Sequence, residues 1–359
     1  MDRRPGQPLK GRGAISAPEG RFEPQRKESF DDGWLREEEP IVALETIVKA
    51  ETSRSIISRN DSPDIPFSQS INPYRGCEHG CIYCYARPTH SYVNLSPGLD
   101  FETKLFYKEN AAELLEQELS KPGYQPSMIA LGASTDPYQP IERQHQITRR
   151  ILEVLLKFRH PVGITTKGVT VARDLDLLAE MAKLDLVQVA MSITSLTPEL
   201  KRTLEPRTAS PQARLRVVRE LSAAGVPAMV MFSPVIPFIN DAEMESVLEA
   251  AREAGARGAG FTMLRLPWEV KDLFVEWLAS HAPLKADHVM SLVQQMRGGK
   301  AYDATWGTRM RGSGEYAEMI EKRFRLACRR LGLNEDRWKA DHSHFAVPPK
   351  AGDQISLFS

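Results

Sequence analysis

Three of the four cysteines of this 359-residue chain lie in one short loop, at Cys77, Cys81 and Cys84. The C-x3-C-x2-C spacing lets three thiolates reach around one face of a cubane cluster, because Gly76 and Gly80 allow the backbone to fold tightly between them. A structural zinc site or an electron-transfer cluster is normally closed by a fourth cysteine or by a histidine. The loop therefore predicts a metal centre with one position left open for a substrate.

A zinc loop formed by the three cysteines and His79 is the alternative. His79 lies between the first two cysteines, where the geometry for a ring nitrogen ligand is poor. The spacing therefore favours the iron–sulfur interpretation over a zinc site.

Charge and cysteine content bear on nucleic-acid binding and on the cellular compartment of this protein. The chain carries 47 basic and 47 acidic residues, so no overall field attracts nucleic acid and any such binding must come from a local patch. The clustered cysteines are not a disulfide framework, and an exposed cluster would be lost in an oxidising compartment. With no apolar stretch suited to an export signal or a membrane span, we expect a cytoplasmic protein without membrane contact.

Six short apolar segments alternate with helical segments in the middle of the chain. The predicted strands are 69–74, 127–133, 162–166, 186–192, 228–233 and 258–264. This alternation predicts parallel βαβ units and an α/β fold. Polar residues follow four of these strands, and the carboxyl ends of parallel strands meet at one edge, where ligands bind.

The chain divides into four regions by composition. Residues 1–45 change from a basic Gly/Pro-rich arm to an acidic segment and predict a flexible arm, with packing across the rim of the sheet as the alternative. Residues 60–267 hold the βα repeat, and 268–345 predict a helical extension. Residues 346–359 form a tail after a Pro-rich linker.

The last two regions suggest partners. Between residues 297 and 340 basic residues outnumber acidic ones and are interleaved with aromatic residues, which suits a nucleic-acid surface or, equally, an ordinary solvated helical face. The tail segment 354–358, from Gln354 to Phe358, resembles the pentapeptide by which bacterial polymerases and repair proteins bind the DNA sliding clamp. A tail packed on the barrel is the alternative.

The cysteine loop also carries a family resemblance. The spacing with Tyr83 just before the last cysteine resembles the radical S-adenosylmethionine (SAM) superfamily, and NPYRGCEHGCIYCYARPTH resembles the branch that contains spore photoproduct lyase. The resemblance implies a partial (β/α)6 barrel with a [4Fe–4S] cluster on Cys77, Cys81 and Cys84. It further implies reduction of SAM by one electron from a flavodoxin or ferredoxin, cleavage to methionine and a 5′-deoxyadenosyl radical, and hydrogen abstraction from a substrate.

The resemblance also implies where SAM binds. Ser134, Thr135 and Asp136 follow the second strand, where the superfamily contacts the amino group, although its Gly-Gly-Glu form is absent. Ser192 and Thr194 resemble a ribose-contacting pair. The remaining candidates are two cations for the SAM carboxylate, Arg207 and Lys167, and two tyrosines that shield the cluster or contact adenine, Tyr83 and Tyr85.

The substrate remains open between three hypotheses. The first is a DNA-repair or DNA-modifying radical SAM enzyme, and the second places the same chemistry on RNA, a protein or a small molecule. The third is a non-enzymatic iron–sulfur or zinc module associated with the clamp. Spore photoproduct lyase needs a further cysteine inside its barrel as hydrogen donor, and the only spare thiol here is Cys328, beyond the sixth strand. Direct reversal of that lesion is therefore disfavoured, and the sequence identifies no catalytic residue.

Overall fold

The computed structural model describes residues 8–22 and 44–349 of the chain. The clamp-like segment predicted at 354–358 lies outside these residues. The strands of the described part are β1 (Ile47–Glu51), β2 (Ser58–Arg59), β3 (Gln69–Ile71), β4 (Tyr74–Arg75), β5 (Lys104–Lys108), β6 (Ile129–Leu131), β7 (Val162–Thr166), β8 (Val187–Ser192), β9 (Ala228–Val235) and β10 (Gly258–Met263).

The main sheet contains the six strands expected from the apolar repeat. Its order is β10-β9-β8-β7-β6-β3-β2, and every neighbouring pair from β3 to β10 is parallel, whereas β2 adds antiparallel to β3. Sequential strands from β6 onward are neighbours because each connection is a helical crossover. The α/β prediction is confirmed.

Helices cover the strands and extend beyond the last of them. They are α1 (Leu99–Thr103), α2 (Ala111–Leu119), α3 (Glu142–His145), α4 (Ile147–Lys157), α5 (Leu175–Ala182), α6 (Pro198–Leu204), α7 (Pro211–Ala223), α8 (Met244–Glu253), α9 (Glu269–His281), α10 (Ala286–Gln295) and α11 (Glu315–Leu331). None of the helices in the described ranges is long and apolar enough to cross a bilayer.

Amphipathic spacing explains how these helices pack. In α4 the residues Ile151, Leu152 and Leu155 are fully buried, while the charged Glu153 and Lys157 are exposed. The strands they cover are apolar because a parallel sheet with crossover helices is buried on its faces, as Val162 and Ile164 of β7 illustrate. The resulting core fixes the strands, and thus the positions of the residues that follow them.

A second, smaller sheet was not predicted. Strand β5 lies between β1, which is parallel to it, and β4, which is antiparallel. The short β4 leads directly into the cysteine loop, so its pairing with β5 fixes where the loop begins. The first strand of the chain therefore lies outside the repeat that organises the main sheet.

The two edges of the main sheet are joined by a loop that we call the closing loop, residues 297–312. The guanidinium of Arg309 pairs with Asp64 at 2.5 Å, and the Gly307 amide donates to Asp64 Oδ1 at 2.7 Å. Asp64 follows β2, whereas the Met263 amide at the end of β10 donates to the Met310 carbonyl at 2.8 Å. The closing loop thus spans the gap between β10 and β2, as the partial barrel requires.

The segment at 8–22, assigned from the sequence to a flexible arm, is packed against the cysteine loop in this structure. Ala14 is 0% exposed, and an ideal Cβ on Gly13 would lie 1.8 Å from the Gly80 carbonyl oxygen. Only glycine permits that approach. For these residues the geometry matches the alternative of an arm packed on the barrel.

Candidate active site

One cavity of about 280 Å³ lies at the carboxyl ends of the main-sheet strands. The three clustered cysteines line it together with residues that lie in, or directly after, the carboxyl-terminal halves of β6, β7, β8, β9 and β10. Polar side chains gathered at this edge come from segments more than a hundred residues apart in sequence. The parallel topology is the physical cause, since it brings all these strand ends to one side.

The cysteine loop keeps a tight backbone. Gly76 and Gly80 have φ values of 75° and 67°, in the left-handed region that favours glycine. The Gly80 amide donates to the Cys77 carbonyl at 3.3 Å, and the Cys84 amide donates to the Cys81 carbonyl at 3.2 Å. These successive turns place all three sulfur-bearing residues on the same cavity, as the spacing predicted.

The loop is fastened to the segment after β6. The buried Gln139 donates from Nε2 to the Gly76 carbonyl at 3.1 Å and accepts from the Glu78 amide at 2.9 Å. Beside it, His79 Nδ1 lies 3.3 Å from Asp136 Oδ2. Within the described ranges no group of three or more His, Cys, Asp and Glu is arranged to hold a metal ion, and His79 faces Asp136.

A buried ion pair supports the loop from the other side. Arg87 and Glu102 are both 0% exposed, and Arg87 Nη2 lies 2.5 Å from Glu102 Oε1. Arg87 also donates from Nε to the Cys81 carbonyl at 2.9 Å. The carboxylate of Glu102 accepts from the amides of Gly13 and Ala14 at 3.0 and 2.8 Å. The ion pair therefore ties the N-terminal segment to the cysteine loop.

The three thiols suit an iron–sulfur cluster in their chemistry. Cys77 and Cys81 are buried, and burial raises the pKa of the Cys81 thiol to about 12 and that of Cys77 well above its usual value. Thiolates in such a place need a bound cation to offset the lost hydration. Three thiols converging on one cavity fit a cluster ligated by three cysteines.

The residues after β6 reach the cavity, but most of their polar groups are already engaged. Asp136 accepts from the Thr166 hydroxyl and from the Lys167 amide, both at 2.6 Å. Burial would raise the pKa of Asp136, but His79 and these donors outweigh burial and lower the pKa to about 2. Thr135 donates its hydroxyl to the Tyr74 carbonyl at 2.9 Å, whereas Ser134 has no side-chain partner among the described residues.

Lys167 follows β7 and lines the same cavity. Its Nζ lies 5.8 Å from the centre of the Tyr83 ring, and it has no ion pair to a carboxylate in residues 8–22 and 44–349. Burial would lower the pKa of this ammonium, but Cys81 and Glu205 outweigh it and raise the pKa. The side chain is thus a charged donor on the part of the lining formed by the cysteine loop and the ends of β6, β7 and β8, which we call the cysteine side.

Ser192 and Thr194, predicted as a pair, have different surroundings. Ser192 lines the cavity, whereas Thr194 is not among its lining residues. Thr194 donates at 2.5 Å to Glu205 Oε1, an oxygen that also accepts from the phenol of Tyr83. The structure brings Ser134, Thr135, Asp136, Lys167 and Ser192 together at the cavity.

A buried network behind Tyr83 was missed by sequence reasoning. The Arg214 guanidinium is 1% exposed and donates to Glu205 Oε2 at 2.6 Å. Burial would raise the pKa of Glu205, but Arg214 and Lys167 outweigh burial and lower the pKa to about 2. The sequence carries one signal for this network: Arg214 lies in the first turn of α7, within reach of Glu205 in the preceding loop.

Arg207, expected to hold the SAM carboxylate, is paired within the protein. Its Nη2 lies 2.5 Å from Glu78 Oε1, and its amide donates to the His79 carbonyl at 3.3 Å. It is not among the residues that line the cavity. In this structure Arg207 joins α6 and the following loop to the cysteine loop.

Another part of the lining differs, and we call it the arginine side, in contrast to the cysteine side. It is formed by Arg265 after β10, the neighbouring hydroxyls of Ser233 and Thr262, and Met310 of the closing loop. Arg265 Nε is buried without a partner, and its Nη1 lies 3.3 Å from the Met310 sulfur. The guanidinium carbon lies 5.2 Å from the centre of the Tyr85 ring. Among the described residues no carboxylate pairs with Arg265.

The fourth cysteine lies elsewhere. Cys328 is buried in α11, where burial raises the pKa of its thiol to about 11, and Asn334 Nδ2 lies 3.7 Å from its sulfur. It is not among the residues that line the cavity. The described cavity wall therefore offers tyrosines, but no cysteine besides the three in the loop.

Comparison with known proteins gives consistent results. The family model described as "Radical SAM superfamily" matches residues 71–251. Curated relatives include the uncharacterised protein Rv2578c of Mycobacterium tuberculosis, 40% identical over 221 residues, which are 61% of this chain and 65% of the relative. The uncharacterised protein MJ0683 of Methanocaldococcus jannaschii is 31% identical over 173 residues, covering 48% of this chain and 62% of the relative. The chain thus spans less than two thirds of these relatives' length.

Solved structures share the fold. A point mutant of spore photoproduct lyase superposes with a TM-score of 0.60 at 16% identity, covering 80% of each chain. A spore photoproduct lyase complexed with dinucleoside spore photoproduct gives a TM-score of 0.58 at 15% identity and the same coverage. At this identity the likeness establishes a common architecture.

Proposed function

This chain belongs to the radical SAM superfamily, and from that premise we propose that it is an enzyme that generates a radical from SAM to abstract hydrogen from a nucleic-acid substrate. The observation that supports it most is the convergence of Cys77, Cys81 and Cys84 on a cavity whose remaining wall is made of strand-end residues. A module that served only as a scaffold would not need such a wall.

The three cysteines would hold the [4Fe–4S] cluster, which supplies the electron that cleaves SAM to methionine and a 5′-deoxyadenosyl radical. The chain's own contribution is position and exclusion of water. The Arg87–Glu102 pair and Gln139 hold the loop backbone in place, which keeps the three cysteines at the cavity.

Lys167 is our choice for the SAM carboxylate, because its ammonium reaches the cavity without an ion pair to a described carboxylate. Ser134 and Ser192 offer hydroxyls at the same wall for the polar groups of the nucleoside and the methionine part. Asp136 and Thr135 act instead as positioning residues, since their side chains are hydrogen-bonded to the protein. Arg207 is less suited to SAM than expected from the sequence, because it already pairs with Glu78.

Nucleic acid is the substrate class that the sequence after β10 and the shared fold favour. Basic and aromatic residues lie together in the region after β10, and the fold is shared with spore photoproduct lyase, one structure of which contains a dinucleoside. The absence of a spare cysteine on the described wall of the cavity favours modification, or repair by another hydrogen donor, over a reaction that needs a cavity thiol. RNA, a protein or a small molecule remains the alternative substrate.

Two partners complete the proposal. A flavodoxin or ferredoxin would supply the electron, and the segment from Gln354 to Phe358 would bind the DNA sliding clamp. Measuring binding of a peptide of this segment to purified clamp, beside a peptide with alanine in place of Gln354 and Phe358, tests the second partner.

The proposed function is tested by anaerobic reconstitution with iron and sulfide, reduction with dithionite in the presence of SAM, and chromatography for 5′-deoxyadenosine. We expect the product from the wild-type chain and none from Cys81→Ala. Zinc in place of iron, with no 5′-deoxyadenosine, would instead favour the non-enzymatic module. Adding DNA or RNA oligonucleotides in parallel then distinguishes the substrate classes by which one increases product formation.

A further inference from the structure

A row of aromatic rings and guanidinium groups leads from the arginine side of the cavity to the protein surface. Its first link is Arg265 beside Tyr85, both of which line the cavity. Arg265 Nη2 lies 3.5 Å from the Tyr302 hydroxyl, and the Tyr302 ring centre is 6.4 Å from that of Trp268. The aromatic–arginine row consists of Tyr85, Arg265, Tyr302, Trp268, Arg21 and Tyr92.

The outer half of the row is held by the N-terminal segment. The Arg21 guanidinium lies 4.0 Å from the centre of the Trp268 ring and 5.9 Å from that of Tyr92. Arg21 also pairs with Glu269 at 3.5 Å, which orients its planar group between the two rings. The row therefore joins three segments that are distant in sequence.

Its rings are exposed to an extent that packing alone does not explain. Trp268 is 60% exposed, Tyr92 66% and Tyr85 46%, although large aromatic side chains are usually well buried. The Trp268 backbone has a φ of 48°, a left-handed conformation that costs a non-glycine residue free energy. An exposed tryptophan at a strained position gains little for the fold, whereas strain of this kind is concentrated at ligand-binding sites.

Charge along the row selects its ligand. Arg265 has a buried Nε without a partner and no carboxylate among the described residues, so it can accept an external anion. Each of the two guanidinium groups lies between two rings of the row, as phosphates lie between bases along a nucleic-acid strand, and Tyr302 and Trp268 are consecutive rings. Bases stack on aromatic faces, and guanidinium groups bind phosphate oxygens.

We propose that the aromatic–arginine row binds a single-stranded nucleic acid, with bases stacked on Trp268 and Tyr85 and a phosphate held by Arg265, and leads one nucleotide into the cavity. The proposal rests on the proposed function for its catalytic meaning, because only a reaction in the cavity gives the delivered nucleotide a role. Binding itself does not depend on that reaction.

The test is fluorescence anisotropy of labelled oligo-dT and oligo-rU of about 12 nucleotides, a length that covers a typical single-strand site. The protein is the full chain, reconstituted anaerobically with its cluster. Trp268→Gly removes the ring and relieves the positive φ together, so it should fold at least as stably as Trp268→Ala. Its affinity for the preferred oligonucleotide should fall about 5- to 150-fold, and Trp268→Phe should restore most of it.

A matched control is available in Phe238. This residue is also an exposed aromatic at positive φ, 57°, but it packs edge-on against His288 and takes no part in the row. Phe238→Ala should leave oligonucleotide affinity unchanged. Arg265→Gln should reduce the slope of log K against log salt by about 0.7, the value for one phosphate contact with a single strand, and Arg265→Lys should keep the slope.

Affinity that is equal in the wild-type chain, Trp268→Gly and Phe238→Ala, or no binding of either oligonucleotide, would overturn the proposal. Tighter binding of oligo-dT or of oligo-rU identifies DNA or RNA as the preferred strand and supports it. Production of 5′-deoxyadenosine without oligonucleotide binding would reject the row, keep radical generation from SAM, and favour a protein or a small molecule as the substrate. Oligonucleotide binding that depends on Trp268, without any cleavage of SAM, would support the aromatic–arginine row as a binding site and reject the proposed function.

Discussion

The two walls of the cavity are built in opposite ways. On the cysteine side several groups are bound within the protein, as Asp136 of the wall and the Arg87–Glu102 pair behind the cysteine loop illustrate, while Ser134 and Lys167 are left for a ligand. On the arginine side Arg265 has, among the described residues, no partner for its buried Nε, and it contacts a sulfur, a distant hydroxyl and a ring face. The first wall is preorganised for one ligand of fixed shape, and the second obtains its best partners only when a ligand is present.

The largest effect should come from the cysteine side. Cys81→Ala removes one of three thiols that converge on the cavity, and we expect iron and sulfide content after reconstitution to fall to background. Cys328→Ala is the matched control, since this thiol lies in α11 and should leave cluster content unchanged. Equal iron in both variants would contradict the assignment of the cluster to this wall.

The next largest difference should be in the free energy of unfolding of variants on the two sides. Arg87→Met leaves the Glu102 carboxylate buried without its charge partner, so the free energy of unfolding should fall by about 3–5 kcal/mol. Arg265→Met removes no ion pair and eliminates an unpartnered nitrogen, so the expected loss is below about 1 kcal/mol. Urea denaturation of the cluster-free proteins measures both. Similar losses of unfolding free energy in the two variants would contradict the view that only the cysteine side is held by buried ion pairs.

SAM affinity tests which wall binds the cofactor. Lys167→Met removes a charged donor, and the dissociation constant of SAM should rise about 10- to 150-fold in equilibrium dialysis of the reconstituted protein. Lys157→Met is the control, because Lys157 forms only an exposed pair with Glu116. A normal SAM affinity in Lys167→Met would move the carboxylate site to another residue.

The smallest effect concerns pH. His90 is buried next to the cysteine loop, with Nδ1 lacking a partner, and burial lowers the pKa of its ring to about 4. The unfolded chain binds a proton near the ordinary pKa of 6.5, so stability is fully present above that pH and is lost as pH falls toward 4. The slope for one such histidine is at most about 1.4 kcal/mol per pH unit.

His90→Gln should therefore flatten the pH dependence of unfolding between about pH 6.5 and 4 without abolishing it. His160 at the other end of the sheet is also buried, with its pKa lowered to about 4, and contributes in the same window. Thermal unfolding at several pH values measures the difference between variant and wild type. An unchanged slope would show that His90 is not neutral in the folded protein.

Much of the cysteine side was accessible from sequence because its signals are local. The spacing of Cys77, Cys81 and Cys84 lies within eight residues, and strand ends can be located from apolar runs followed by polar residues. Parallel topology then places those ends together. Apolar runs alone indicated that Ser134, Asp136, Lys167 and Ser192 follow or end strands, and the family resemblance supplied the barrel that places them beside the cysteines, where the structure has them.

The arginine side could not be predicted, because it depends on irregular segments and distant contacts. Arg265 follows an expected strand, but nothing local indicates that the closing loop would leave it without a carboxylate. Likewise Arg207 looked free for a ligand until folding placed Glu78, 129 residues away, beside it. The packing of Gly13 against Gly80 has no periodic pattern at all, since a close backbone approach requires only one glycine.

The bond between the closing loop and Asp64 spans 243 residues of sequence. During synthesis at about 5–20 residues per second, the ribosome adds the closing loop some 10–45 seconds after the cysteine loop. Contacts of such high sequence separation also form late in refolding, because the chain entropy they cost must be recovered from structure already present. The part of the cavity lining that the closing loop supplies is therefore synthesised last, well after the three cysteines that would hold the cluster.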